Sequence, residues 1–163
     1  AKMEKGNNVL VPIEAQSEYV GKWSKKFIRE LSYVNIPGIT GEARTFQVVG
    51  NAMNPLLMDG DYVACTASSL KEVQTGRVYV IVSDKIQIGY VQVEQDRLVY
   101  IPNNRDEFQP YRIPNSAIRE LWEAKAKITD RILDPLAGGY SPSRLREMEN
   151  FLMGKFPDFI IAE

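Results

Sequence analysis

Few side chains of this sequence could carry out chemistry. Among its 163 residues there are no histidines and one cysteine, Cys65. Histidine-based acid–base catalysis is therefore excluded, and a transition-metal site would lack its usual ligands. We expect neither a metal nor any other cofactor. A single thiol cannot form an internal disulfide, and its position in an apolar run predicts that Cys65 is buried.

One loop between two apolar runs has the composition of a functional turn. Residues 48–63 read VVGNAMNPLLMDGDYV, so glycine, asparagine and proline follow the first run and Asp59-Gly60-Asp61 precedes the second. Ala52 lies at the centre of the first turn. Its methyl group has no lone pair with which to attack a carbonyl carbon, so nucleophilic chemistry cannot begin at this residue.

The elements that must hold this turn are mainly β. Short apolar runs bounded by turn residues predict strands at residues 45–49, 62–66, 77–82, 86–93 and 97–101. Apolar residues occupy both faces of the run at 77–82, which predicts a strand covered on both sides. The stretch 118–128 is ambiguous, because its composition favours a helix while its apolar residues recur at period two.

Both ends of the chain carry a helical pattern. A short strand is predicted at residues 10–13, after which large apolar side chains recur every four residues, as Tyr19, Trp23, Phe27 and Leu31. This spacing predicts helix or helical turns with one buried face. Towards the C-terminus, Ser141-Pro142 predicts a helix start, with serine as the cap and proline in the first turn.

Several segments, taken in order, resemble the LexA-like self-cleaving proteins of the S24 peptidase family. The turn at residues 50–55 resembles the family's G-D-S-M-x-P nucleophile loop, and residues 76–80 resemble its G-x-v-Y-v strand. Ile101-Pro102-Asn103-Asn104 stands where the family has S-x-N, and Ala15-Gln16-Ser17-Glu18-Tyr19 is similar to its A-x-A-G-Y cleavage region. The resemblance covers residues 10–128.

The resemblance implies a fold as well as a site. It implies a mainly β, LexA/signal-peptidase-like, β-barrel-like fold of short strands, with an N-terminal helical segment and a C-terminal helix. It also implies that residues 118–128 form the closing strand. We accordingly expect an N-terminal strand and helical lead-in at residues 1–44, an S24-like β core at 45–128 and a C-terminal helical extension at 129–163.

The family's chemistry uses a serine–lysine dyad, and this sequence departs from it at both positions. In the loop formed by Gly50, Asn51, Ala52, Met53 and Pro55, the serine position holds Ala52, and the lysine position in the following hairpin holds Gly89. Neighbouring registers bring Gln87, Ile88 or Tyr90 to that position. Lys85 is four residues earlier, or ~13 Å along a strand, whereas a hydrogen bond needs about 3 Å.

The cleavage region departs as well. Ser17 and Glu18 stand where self-cleaving members have a small pair such as Ala-Gly. A carboxylate there would put an uncompensated charge into a tight apolar groove. We therefore expect no catalytic residue and no enzymatic activity, and we interpret the loop, Gly89 and the Ser17-Glu18 pair as vestiges of the three parts of the mechanism.

The resemblance then implies a regulatory role. We expect a non-catalytic dimerisation and regulatory domain of a cytoplasmic transcriptional regulator, with a DNA-binding helix-turn-helix upstream of Ala1. A net charge of −1 agrees with a homodimer that reaches DNA only through that upstream domain. We expect no membrane contact. A protein or peptide regulator could occupy the vestigial groove near Asn51, Ala52, Met53 and Gly89.

Three other interpretations stay open at this point. The chain could be a self-processing serine–lysine peptidase inactivated by an engineered Ala52. It could be a partner-binding protein similar to the polymerase-accessory branch of the family. It could also be a small β scaffold whose resemblance to the family is accidental.

Overall fold

The computed structural model describes residues 8–21, 24–131, 146–147 and 150. In these residues the fold is mainly β, as the sequence predicts, with two short helices near the N-terminus. The elements are β1 (Asn8–Val11), α1 (Ile13–Gly21), α2 (Lys25–Glu30), β2 (Tyr33–Val34), β3 (Ala43–Gln47), β4 (Tyr62–Ala67), β5 (Val78–Val82), β6 (Ile86–Val93), β7 (Arg97–Ile101), β8 (Tyr111–Pro114) and β9 (Glu120–Ile128).

All nine strands belong to one sheet with the order β2-β1-β3-β4-β9-β5-β6-β7-β8. Neighbouring strands are antiparallel except β1 and β3, which run parallel. β9 lies between β4 and β5, so it joins the two halves of the sheet. This confirms that residues 118–128 contain the closing strand rather than a helix.

β5 separates two hydrophobic cores. On one face Val80 and Val82 pack in a cluster that contains Phe46 and Trp122. On the other face Tyr79 and Ile81 belong to a second cluster, built with the buried residues of β6 to β9. The prediction that this strand is covered on both sides is confirmed. Cys65 is fully buried in the first core, also as predicted, and burial raises the pKa of its thiol.

The helical segment near the N-terminus differs from the prediction. The spacing of four residues predicts one buried helical face from Tyr19 to Leu31. The structure instead has two separate helices, since α1 ends at Gly21 and α2 begins after Ser24. The Ser24 hydroxyl accepts a hydrogen bond from the Phe27 backbone N–H at 3.0 Å, which caps α2. The four-residue spacing therefore spans two elements; Trp23 lies outside the described residues.

Strand boundaries also differ where side-chain contacts redirect the chain. β1 ends at Val11, and Ile13 already begins α1, where its backbone N–H donates to the Gln47 carboxamide oxygen at 2.8 Å. β3 ends at Gln47 rather than at residue 49. The short strands β2 and β8 had no sequence signal, because one has two residues and the other ends in a proline.

Strands near the N-terminus cross the expected boundary between residues 1–44 and 45–128. β1 and β2 belong to the same sheet as the strands at 45–128, and β3 itself begins at Ala43. Of the predicted C-terminal helix the structure describes residues 146, 147 and 150, which are helical. No helix in the described ranges is long and apolar enough to span a bilayer.

Candidate functional site

The turn that follows β3 is fixed at both of its ends. Gly50 has a φ of 83°, a conformation that favours glycine, and its backbone N–H donates to a carboxylate oxygen of Asp59 at 2.7 Å. Asp61, which is buried, accepts from the Met58 backbone N–H at 2.9 Å. Met53 is 2% exposed and anchors the middle of the turn in the first core. Ala52 therefore lies on a well-held backbone.

The Ile101–Asn104 motif holds the same turn from the other side. The Asn104 backbone N–H donates to the Ala52 carbonyl at 3.0 Å, and its side-chain amide donates to the Asn51 carbonyl at 3.2 Å. The Asn103 amide donates to the Asn54 carbonyl at 2.9 Å, while its oxygen accepts from the Tyr90 hydroxyl at 3.2 Å. Two motifs that are fifty residues apart in the sequence thus form one site.

A cavity of about 270 Å³ opens beside Ala52. It lies between the turn, the start of α1 and the β5–β6 hairpin. Its wall combines aliphatic side chains with glutamine amides, aromatic rings and one lysine. The polar and aromatic members are Gln16, Gln47, Lys85, Gln87, Tyr100, Phe108, Gln109 and Tyr111. Such a wall offers neutral hydrogen-bond donors and acceptors next to apolar surface, which suits binding rather than proton transfer.

Gly89 is outside the lining of this cavity, because a tyrosine covers it. A Cβ atom at position 89 would lie 2.5 Å from Cε2 of Tyr100 and 3.0 Å from the Ile101 carbonyl oxygen. The Tyr100 hydroxyl donates to the Ile88 carbonyl at 2.8 Å, which fixes the ring. Burial raises the pKa of Tyr100 to about 12. The space that a lysine side chain at position 89 would need is therefore occupied.

Lys85 shares the cavity with Ala52. It belongs to the turn before β6 and lines the same wall. Its expected separation of ~13 Å from position 89 stays a prediction. Its ammonium nitrogen lies 5.1 Å from the centre of the Tyr111 ring, in a cation–π arrangement.

Ser17 and Glu18 lie on α1 and are exposed. The residue of this segment that reaches the cavity is Gln16, whose amide donates to the Gln47 carbonyl at 2.7 Å. Tyr19 holds the helix against the sheet, because it is fully buried with its ring edge on Phe46. The segment is thus a packed helix rather than an extended chain within the cavity.

Sequence reasoning named Gln87 only as a neighbouring register of position 89 and missed Tyr100, although both line the cavity. Gln87 is 7% exposed, and its amide nitrogen can face the carbonyl oxygens of Ile81 at 2.9 Å and Lys85 at 3.1 Å. Tyr100 lies within the strand predicted at residues 97–101, which by itself assigns it no place in a site. The available signal was Gly89, since a glycine inside a strand often marks the close approach of another group.

In the described ranges no three Cys, Asp or Glu side chains are grouped so as to hold a metal ion.

Two comparisons with known proteins bear on the site. A family model described as Peptidase S24-like matches residues 5–128, which is most of the chain. A search of curated proteins gave no match.

Proposed function

The chain belongs to the S24 peptidase-like family, and we propose that it is a member without self-cleaving activity. Its role would be that of a dimerisation and regulatory domain in a transcriptional regulator. DNA would be bound by a helix-turn-helix segment outside this chain. The observation that supports the proposal is the Tyr100 ring packed over Gly89. By resemblance, Ala52 and Gly89 stand at the positions of the family's serine and lysine.

The contact between Tyr100 and Gly89 argues against a single engineered substitution at residue 52. A trapping mutation replaces the nucleophile and leaves the base in place. Here a lysine at position 89 would also require the Tyr100 ring and the Ile101 carbonyl to move. Several positions are therefore adapted to one another, which favours a natural loss of activity.

The turn around Ala52 remains held although it carries no nucleophile. Asn103 and Asn104 satisfy the carbonyl oxygens of residues 51, 52 and 54. A fold retained in this way is suited to association and ligand binding. The net charge of −1 agrees with a domain that does not itself bind DNA. The cavity beside Ala52 is the candidate site for a peptide or protein regulator, since its glutamines can pair with peptide groups.

The competing function is self-processing, and Lys85 is the observation that favours it. This lysine lines the cavity with Ala52, so a restored serine could find a base there. Mass spectrometry of Ala52→Ser after incubation at alkaline pH tests both functions. We expect the chain to stay intact, because no lysine stands at position 89.

A matched variant assigns any cleavage that does occur. Ala52→Ser/Lys85→Met keeps most of the apolar stem of residue 85 and removes its ammonium group. Fragments ending near Ser17-Glu18 in the single variant, and absent in the double variant, would identify Lys85 as the base. That result would contradict the proposal and establish a peptidase whose nucleophile had been replaced.

A further inference from the structure

β9 is longer than the strand beside it. Its residues 120–123 pair with β5, whereas its pairing with β4 continues from Trp122 to Ile128. Over residues 124–128, the edge of β9 that faces away from β4 has no strand partner in the described part of the chain. Such an edge presents backbone N–H and C=O groups that an added strand can pair with.

An apolar groove of about 360 Å³ follows this edge. Its wall includes Leu56 and Leu57 from the segment after the Ala52 turn, and Val63 and Val78 from the neighbouring strands. Leu56 is 40% exposed, and Ile128 at the end of β9 is 39% exposed. A strand added to the edge would cover these side chains with alternate side chains of its own.

The rim of the groove is basic. Arg77 and Lys125 both contact the Glu123 carboxylate, at 2.6 and 3.1 Å. Lys127 reaches the Leu56 carbonyl at 3.1 Å, and none of the ion pairs among the described residues involves it. Positive charge is thus in excess along the edge, which favours an occupant that carries carboxylates.

A second copy of the same edge fits poorly. Antiparallel pairing of residues 124–128 with themselves would set Lys125 of one chain opposite Lys127 of the other. Like charges directly opposite each other destabilise a strand pair. The register shift between β4 and β9, which leaves Lys125 out of the pairing, further discourages a regular ladder between two copies.

The chain itself contains a segment with the required chemistry. Residues 158–163 read DFIIAE, four apolar residues flanked by one acid on each side. Phenylalanine and isoleucine favour strands. The segment has six residues, which is long enough to pair along all five residues of the unpaired edge of β9. No other segment is needed to supply both the apolar side chains and the carboxylates.

The segment is within reach of the groove. Glu147 lines a cavity together with Thr75 and Gly76, and the next residue, Arg77, lines the groove. From Asn150, eight residues lead to Asp158 and can span up to ~26 Å. Residues 158–163 are therefore close enough along the chain to pair with the open edge.

We propose that residues 158–163 add to the free edge of β9 as a further strand of the same molecule. Their apolar side chains cover Leu56 and Ile128, and their carboxylates lie near Lys125 and Lys127. The added strand then also buries the segment that follows the Ala52 turn.

Hydrogen exchange of the full chain, compared with a chain ending at residue 157, tests this proposal. The amides of residues 124–128 that do not bond to β4 should exchange at least about tenfold faster in the shorter chain, since an unpaired edge amide lacks protection. The amides of β7 should be unchanged. Equal exchange in both chains would overturn the proposal, and so would protection that rises with protein concentration, because a second copy would then cover the edge.

A charge exchange tests the same contact without shortening the chain. Lys125→Glu/Lys127→Glu should lose the protection, and adding Asp158→Lys/Glu163→Lys should restore it. Lys25→Glu/Lys26→Glu, which reverses two exposed lysines on α2, is the matched control and should have no effect. Loss without restoration would contradict the pairing.

Discussion

At the scale of single residues, Gly89 shows that one position cannot both carry a lysine side chain and allow an aromatic ring to pack against its backbone. By its resemblance to the family, the sequence places Gly89 where a lysine would be expected. In the structure the Tyr100 ring lies against its backbone, in the space that a Cβ atom would need. A glycine in a strand interior weakens the strand, and here the close approach of the ring compensates for that weakness.

Gly89→Ala should therefore destabilise the protein by about 1–3 kcal/mol, the usual cost of overpacking. The added methyl group would meet both the Tyr100 ring and the Ile101 carbonyl. Urea denaturation measures the change. Gly21→Ala is the matched control, because a Cβ atom there meets nothing within 4 Å, and equal losses in the two variants would contradict the packing argument.

Tyr100 also predicts a pH dependence. Its pKa is raised in the folded state to about 12 from an ordinary value of 10.0, so the unfolded chain ionises first. The stability contributed by the neutral phenol is fully present below pH 10 and is lost as the pH rises to about 12. Tyr100→Phe should show a shallower fall of the unfolding free energy over that range, measured by urea denaturation at each pH. Identical slopes would exclude this contribution.

At the scale of elements, α1 is tied to the sheet through one carboxylate. The Tyr19 hydroxyl donates to Oε1 of Glu120 at 2.6 Å, and the Trp122 indole donates to the same oxygen at 2.8 Å. The Arg119 guanidinium donates to the Val20 carbonyl at 2.6 Å. The helix that carries Ser17 and Glu18 is thus held by residues of the closing strand.

Tyr19→Phe should release this helix without unfolding the sheet. Losing the hydroxyl removes one of the two hydrogen bonds that Oε1 of the half-buried Glu120 carboxylate accepts, at a cost of about 1–3 kcal/mol. Digestion with a protease that cleaves after glutamate should become faster at Glu18, as followed by mass spectrometry. Tyr33→Phe, a tyrosine outside α1, is the control and should leave the rate at Glu18 unchanged.

The elements also show what sequence patterns can supply. β6 and β7 match their predicted bounds, because alternating or continuous apolar runs between turn residues depend on local chemistry alone. The division of the N-terminal helix could not be read from residues spaced four apart, since Ser24 caps a new helix within that spacing. β2 depends on pairing with β1, a tertiary contact that two residues cannot encode.

At the scale of the molecule, the site could be predicted only in part for a similar reason. The order of the family motifs identified the turn at residues 50–55 and the Ile101–Asn104 segment, and the structure brings them into contact. The Tyr100 ring over Gly89 and the position of Lys85 at the cavity result from how the β5–β6 hairpin packs on β7. Neither follows from separation along the chain.

The proposed role predicts a dimer. Sedimentation velocity at tens of micromolar should give twice the chain mass, because a domain that strengthens binding to paired DNA half-sites acts by linking two modules. The chain ending at residue 157 should dimerise equally, since we assign its missing segment to its own β9. A strict monomer at these concentrations would count against the role as a dimerisation domain.

The place of β5 between two cores has a consequence for how the domain comes apart. Val80 and Val82 belong to one core and Tyr79 and Ile81 to the other, so neither half can melt while the strand stays whole. Heating should accordingly give one calorimetric peak rather than two. A lesion in either core would lower the melting temperature of the entire sheet, so proteases would cleave its strands only after the whole sheet has unfolded.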